Sequence, residues 1–385
     1  MTIHTVGLYF AIVSGVFYAW VLVMMRRIRK APQLPGSDNI ESLPASVTVV
    51  IAGRNEASSL AGCLQSILIQ EGVEQVIFVD DHSTDGTLDV AKNAASNDKS
   101  LLVLSAPPLP DGWIGKSHAI QYGARFVRSR YLLFTDADVL LSPGTVKAAV
   151  AKMEQEQLDH LGGYFFIHCA RVSEEICAPV LAISSGIALF RSAPTLGAAT
   201  GAFNMLRTDF YKNIGGHHSI KNKTVDDVAL ARYAKQAGGK TDFVHVSTAV
   251  KVRLFVGFRG FMDVVARSAV PFLRLGKVVV LCCAMTLMLL GLATVFVSCF
   301  AVKTLLIDPP NSGLSTATWV VSVAAAYVLG LACIHQARRY HDGRMGWGLL
   351  YPLPIVLMAL STAWATVSSL LDRKVCWRGR SYERT

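Results

Sequence analysis

Charged side chains are scarce in this chain: Asp, Glu, Lys and Arg make up 17% of its 385 residues, against 52% hydrophobic residues. An ordinary soluble domain carries about 25% charged residues. The shortage argues against a conventional soluble enzyme and predicts that part of the chain sits in lipid. Patterned cysteine is missing too. Cys63, Cys169 and Cys177 lie far apart, and Cys282, Cys283, Cys299 and Cys333 fall in apolar runs. No metal pattern results, and a reduced cytosolic context fits. Repeats and low-complexity tracts are absent. Acidic residues number 27 against 37 basic ones, a formal charge of +10. That excess does not predict a nucleic-acid partner. Basic residues concentrate beside apolar segments, among them Arg259, Arg267, Arg274 and Lys277, where they would meet anionic headgroups.

What is present begins with long uncharged runs. Residues 6–25 and 278–302 are free of charge, each long enough to cross a hydrocarbon core of about 30 Å as a helix. Residues 314–334 and 347–371 are further candidates, and Pro352 and Pro354 predict an irregular entry to the last. In the first run the charges Arg26, Arg27, Arg29 and Lys30 follow the apolar stretch and none precedes it, which predicts an uncleaved anchor rather than a signal peptide. The positive-inside rule then places residues 26–277 in the cytoplasm of an integral membrane protein, a bacterial cell-membrane protein in this reading. The C-terminal charges conflict. Three more spans would put Arg373, Lys374, Arg378, Arg380 and Arg384 outside, while Arg338, Arg339 and Arg344 ask for inside, which leaves open which segment spans fully. The predicted organisation is an anchor at 1–25, a linker at 26–46, a catalytic domain at 47–250, an interfacial amphipathic segment at 251–277, about three membrane helices within 278–371 and a basic tail at 372–385.

Between residues 47 and 246 short β-branched runs alternate with helical stretches, the pattern of an α/β, Rossmann-like, mainly parallel sheet covered by helices. Strands are predicted at 47–52, 75–79, 101–104 and 131–135. Helices are predicted at 56–70, 85–95, 117–127, 143–154 and 226–236, the fourth capped by Ser142 with Pro143 in its first turn. Ligands of such sheets bind outside the carboxyl ends of the strands. Polar clusters fall at those ends: Arg54-Asn55-Glu56, Asp80-Asp81-His82-Ser83 and Asp136-Ala137-Asp138.

Asp136 and Asp138, one residue apart after an apolar strand, suit a hard divalent cation, because Mg²⁺ and Mn²⁺ prefer a few carboxylates plus phosphate oxygens and water. Such an ion would neutralise charge growing on a departing nucleoside diphosphate. Ser83 or Asp85 reads as a helix cap, whereas Asp80-Asp81 could accept hydrogen bonds from a nucleobase N–H or a ribose hydroxyl. Lys116, in the loop PDGWIGKSHA entering a helix, suits a pyrophosphate. Asp226-Asp227 opens a helix, where capping explains one carboxylate and a general base for an acceptor hydroxyl is the sharper reading. His217 and His218 read as loop residues, with a metal or substrate role as the alternative.

Taken in order, VTVVIAGRNE, VIFVDDHSTDGT, GWIGKSHA, FTDADV, GAFNMLRTDFYKNIGGH and DDVALARYAKQAG resemble glycosyltransferase family 2 over about residues 47–239. The resemblance implies a GT-A fold and inversion at the anomeric centre. It implies that Asn55, Glu56, Asp81, Lys116 and Asp136 hold a nucleotide-sugar, that Asp138, with Asp136, holds Mn²⁺ or Mg²⁺, and that Asp227 is the base. The layout and the GWIGK segment look most like the membrane-bound branch of carotenoid glycosyltransferases and hopanoid-associated HpnB-like proteins, as does the ending WRGRSY. Family members often carry Glu-Asp at the catalytic pair. Asp226-Asp227 stands here instead, so either carboxylate could act. The Q-x-x-R-W of processive polysaccharide synthases is missing, which favours a single transfer, with a UDP-sugar the favoured donor and a lipid or isoprenoid hydroxyl or carboxylate the acceptor. The rival readings are a polysaccharide or polyprenyl-phosphate sugar synthase and a non-catalytic membrane scaffold.

Overall fold

A computed structural model of the chain describes residues 3–37, 40, 46–269, 276, 279–286, 288–289, 291, 314–371, 375–377 and 380–382. Its centre is a seven-stranded sheet built from β1 (Val47–Gly53), β2 (Val73–Asp80), β3 (Leu101–Ser105), β4 (Tyr131–Asp136), β6 (His160–Tyr164), β8 (Asn204–Arg207) and β9 (Thr241–His245). The order is β3-β2-β1-β4-β8-β6-β9, with β8 antiparallel to both neighbours and the other pairings parallel. Runs such as Val49, Val50, Ile51 and Ile77, Phe78, Val79 are fully buried, because helices cover both faces of a parallel sheet. These helices include α2 (Leu60–Leu68), α3 (Thr87–Asn97), α4 (Gly115–Ala124), α5 (Thr145–Gln155) and α8 (Asp226–Gln236).

The first four predicted strands and their helices are all present, with boundaries moved by a few residues. The helix predicted at 143–154 starts later. Gly144 occupies its N-cap in the left-handed region at φ 78°, and Ser142 instead offers its carbonyl to the Thr145 N–H and hydroxyl. The Gly is needed there because L side chains rarely adopt that φ.

A second sheet of β5 (Val139–Leu141), β10 (Val250–Val252) and β7 (Phe166–Ile167) runs in the order β5-β10-β7. It forces β4 to turn sharply at Ala137-Asp138 before β5 begins, which sets the Asp136-Ala137-Asp138 triplet at the corner between two sheets.

Among the described residues, four helices are long and apolar enough to cross a membrane: Ala11–Ile28 within α1 (Ile3–Ile28), Val172–Leu196 (α6), Val320–Tyr340 and Pro352–Leu370. Three meet the expectation, and a 3₁₀ segment at Met345–Leu350 supplies the irregular entry before Pro352. The run expected at 278–302 lies largely outside the described residues, as does most of the tail, of which 375–377 and 380–382 pair as a short hairpin.

The fourth helix, α6, interrupts the catalytic domain and was not anticipated. In sequence only residues 176–190 are uncharged there, too short a run to read as a span. The structure extends it by neutralising its entry: Glu174, 1% exposed, pairs with Arg253 at 2.8 Å and accepts from the Ala170 and Gly257 N–H groups. α6 packs against α1, the helix Leu314–Ala337 and α9 (Gly257–Ala269). In α9, Phe261, Val264, Val265 and Ala269 are buried and Arg259 is exposed, so this helix is amphipathic.

The start of the linker docks on the sheet. The His245 N–H donates to the Pro32 carbonyl at 2.8 Å, and His245 Nε2 lies 2.7 Å from the Ile28 carbonyl. The turn after Tyr340 also sits on the catalytic domain, since Asp342 contacts His168 Nδ1 at 2.6 Å and Arg344 pairs with Glu175 at 2.9 Å.

Candidate active site

The chain order of the sheet reverses between β1 and β4, and such a switch point opens a crevice at the strand ends. The predicted residues gather around it. After β1, Asn55 adopts φ 57° and ties two loops together: its N–H donates to Ser83 Oγ at 3.0 Å and its Oδ1 accepts from the Thr84 N–H at 2.9 Å. The Glu56 N–H donates to Thr87 Oγ1 at 2.7 Å, and Arg54 donates to the Asp81 carbonyl at 2.7 Å. Asn55 thus serves the loop itself, a role that accounts for an Asn in the left-handed region.

Asp80 and Asp81 are both buried at the end of β2. Asp80 Oδ2 accepts from the Ser83 N–H, and its Oδ1 is buried with no hydrogen-bond partner among the described residues. A buried acceptor left unmet is costly unless a ligand supplies a donor. Asp85, as expected, serves the start of α3, accepting from the Thr87 and Ala57 N–H groups.

Lys116 is the second residue of α4 and the hub of the site. Its ammonium lies 2.7 Å from Asp136 Oδ1 and 3.4 Å from Asp226 Oδ1. Burial pulls its pKa down, but the charges of Asp136, Asp226 and Asp227 together outweigh this and raise it, so the lysine stays protonated. It was expected to face a pyrophosphate from a helix N-terminus. In this structure it bridges the carboxylates of β4 and α8.

Asp227 holds one oxygen against the Val228 N–H at 2.7 Å. Burial first, then the Asp226 charge, pushes its carboxyl up to about 7. The two aspartates therefore differ: Asp226 is 8% exposed and paired with Lys116, whereas Asp227 is half-buried and poised to exchange a proton near neutrality. Asp138 is also pushed up to about 7, by burial, then by Asp136 and Glu56. A carboxyl raised by neighbouring carboxylates suits a cation. The described residues hold no group of three or more His, Cys, Asp or Glu placed to hold a metal ion, so the chain would supply one or two carboxylates and leave the other positions to phosphate and water.

Three features escaped the sequence reading. Gly201 packs so closely that an added Cβ would lie 2.2 Å from Asp136 Oδ2, and its carbonyl accepts the Asp136 N–H at 2.9 Å. The GAFN segment was in view, but nothing local marks its partner. His217 is buried rather than presented to solvent: Nδ1 lies 2.9 Å from Tyr211 Oη and Nε2 3.9 Å from Asp226 Oδ2. Burial first and Lys116 second pull its pKa down to about 3, which keeps it neutral. Trp113 makes edge contacts with His118 and His218, at 5.5 and 5.6 Å between ring centroids, which puts an aromatic surface beside the mouth of the site.

A doubly wound sheet with acidic strand ends around its switch point defines a domain of the GT-A type, joined here to helices long and apolar enough to cross a membrane. Residues 48–215 match the model of Glycosyl transferase family 2. The 4,4'-diaponeurosporenoate glycosyltransferases of Staphylococcus aureus are similar: the protein of strain bovine RF122 / ET3-1 is 28% identical over 203 residues, 50% of this chain and 52% of that protein, and that of strain USA300 is 27% identical over the same length and shares. The matched stretch thus spans about half the length of these curated relatives. Among solved structures, a mannosyltransferase from Pyrobaculum calidifontis, in complex with GDP-Man and Mn²⁺, superposes with a TM-score of 0.55 at 16% identity over 96% of this chain and all of that one, a likeness of fold.

Proposed function

We propose that this chain transfers a glycosyl group, with inversion, from a nucleotide-sugar to a lipid acceptor at the membrane surface. The observation that carries the reading is the bridge from Lys116 to Asp136 and Asp226, which gathers the nucleotide-side and acceptor-side carboxylates at one crevice. In this reading Asp81 and the unmet Asp80 oxygen receive donors from the nucleoside, and Lys116 keeps Asp136 aligned while screening its charge. Asp138, with Asp136, would hold Mn²⁺ or Mg²⁺, which when bound neutralises charge developing on the leaving diphosphate. Asp227 takes the proton of the acceptor hydroxyl as its oxygen attacks the anomeric carbon and the bond to the diphosphate breaks. A carboxylate acceptor arrives already ionised and needs no base.

The lipid acceptor is supported by the apolar helices that flank and interrupt the domain and by similarity to proteins whose name specifies a carotenoid acid acceptor. A UDP-sugar is the favoured donor. The deciding experiment supplies radiolabelled UDP- and GDP-sugars to membranes containing the chain, with and without Mn²⁺. Metal-dependent label in a discrete extractable lipid is expected. Label in insoluble polymer would instead make the chain a synthase, and no label with any donor would leave a scaffold.

A further inference from the structure

Away from the crevice, where the helical part meets the catalytic domain, a cavity of about 380 Å³ is lined by Arg29, His335, Gln336, Arg338 and Arg339. Its walls are the carboxyl ends of two helices that pack side by side, α1 and Leu314–Ala337. Arg29 follows directly on α1, and its N–H still donates to the Met25 carbonyl at 2.9 Å. Arg338 and Arg339 form the 3₁₀ turn that ends the other helix.

We propose that this cavity binds the phosphate of an anionic lipid headgroup. Three observations converge. The first is charge: Arg29, Arg338 and Arg339 line one concavity, and among the described residues none of them forms an ion pair with a carboxylate. All three are exposed to solvent, and their planar N–H forks suit phosphate oxygens. The second is position. Both helices are long and apolar enough to cross a bilayer, with spans ending at Ile28 and Tyr340, so the cavity lies where lipid headgroups would. The third is rigidity of the floor. His245 at the end of β9 donates from Nε2 to the Ile28 carbonyl at 2.7 Å and stacks on Tyr340 at 5.4 Å between ring centroids. The catalytic sheet therefore fixes the two helix ends relative to each other, and a lipid bound there would brace the domain against the membrane. The inference does not depend on the reaction proposed above.

The test uses the purified full-length chain in detergent, with thermal unfolding followed during titration with phosphatidylglycerol, phosphatidylcholine or inorganic phosphate. A saturable rise in Tm is expected with phosphatidylglycerol alone. In Arg338→Gln/Arg339→Gln the apparent affinity should fall about tenfold or more, as expected for loss of charge-assisted hydrogen bonds, with nucleotide binding unchanged. An equal rise with phosphatidylcholine, or an unaltered response in the variant, overturns the proposal. A rise with inorganic phosphate matching that with phosphatidylglycerol would assign the cavity to a soluble phosphate and overturn the lipid. Should the double variant not fold, Arg29→Gln, at an exposed position, replaces it under the same criteria.

Discussion

The Lys116 ammonium lies 2.7 Å from Asp136 and 3.4 Å from Asp226, and this one cation joins the end of β4 to the start of α8. Without it, Asp136, Asp226 and Asp227 would repel across the crevice. Lys116→Met is expected to lower kcat/KM about tenfold or more, the effect of leaving the buried Asp226 and its neighbour Asp136 without their cation. Steady-state kinetics on membranes will measure it, and a variant with unchanged kcat/KM would show that the bridge has no part in turnover.

Asp227 and Asp226 should separate by substitution. Asp227→Asn is expected to reduce turnover of a hydroxyl acceptor about 10²- to 10⁴-fold, with donor binding retained in calorimetry. Normal turnover in that variant would move the base to Asp226.

The rate should follow the ionisation of Asp227. Its carboxyl is raised to about 7, so the proton-accepting form is present above that pH and lost as pH falls through it. At saturating Mn²⁺, where a bound cation would hold Asp138 ionised, kcat/KM is expected to drop about tenfold per pH unit below pH 7. A profile level across that range removes Asp227 from the rate equation.

Asp138→Ala should weaken metal-dependent donor binding while leaving metal-independent nucleotide affinity in place. Titration of donor with and without Mn²⁺ reads the difference, and identical curves for variant and wild type would take Asp138 out of the ion's coordination.

Gly201→Ala tests the close approach behind Asp136. A Cβ at that position would lie 2.2 Å from the Asp136 carboxylate, so Asp136 must move and its contact with Lys116 be lost. Activity is expected to fall with the same sign as in Lys116→Met, with little change in Tm. Full activity would mean that the carboxylate can shift without consequence.

Much of this protein was legible locally. The strands β1 to β4 are apolar β-branched runs closed by polar clusters, and α8 begins at the aspartates that mark it, because local propensity and burial agree in those segments. Three of the apolar helices are uncharged runs of spanning length, readable from composition alone. The order of motifs pointed to family 2, and that domain is present.

What stayed hidden depends on partners distant in sequence. α6 reads as too short an uncharged run to be a candidate span; that residues 172–196 form one apolar helix, with Glu174 paired to the distant Arg253, is decided by the fold. Lys116 seemed free for a phosphate because the carboxylates that hold it come from another strand and another helix. His217 looked like a loop histidine until Tyr211 and Phe134 enclosed it. The sequence by itself determined the class of sheet, the acidic strand ends and the lipid-compatible helices, since these rest on periodicity and local chemistry. Tertiary structure alone decided which carboxylates share a cation and where the arginines of two helix ends meet, since burial and distance set the energy of a charge and neither is written in one segment.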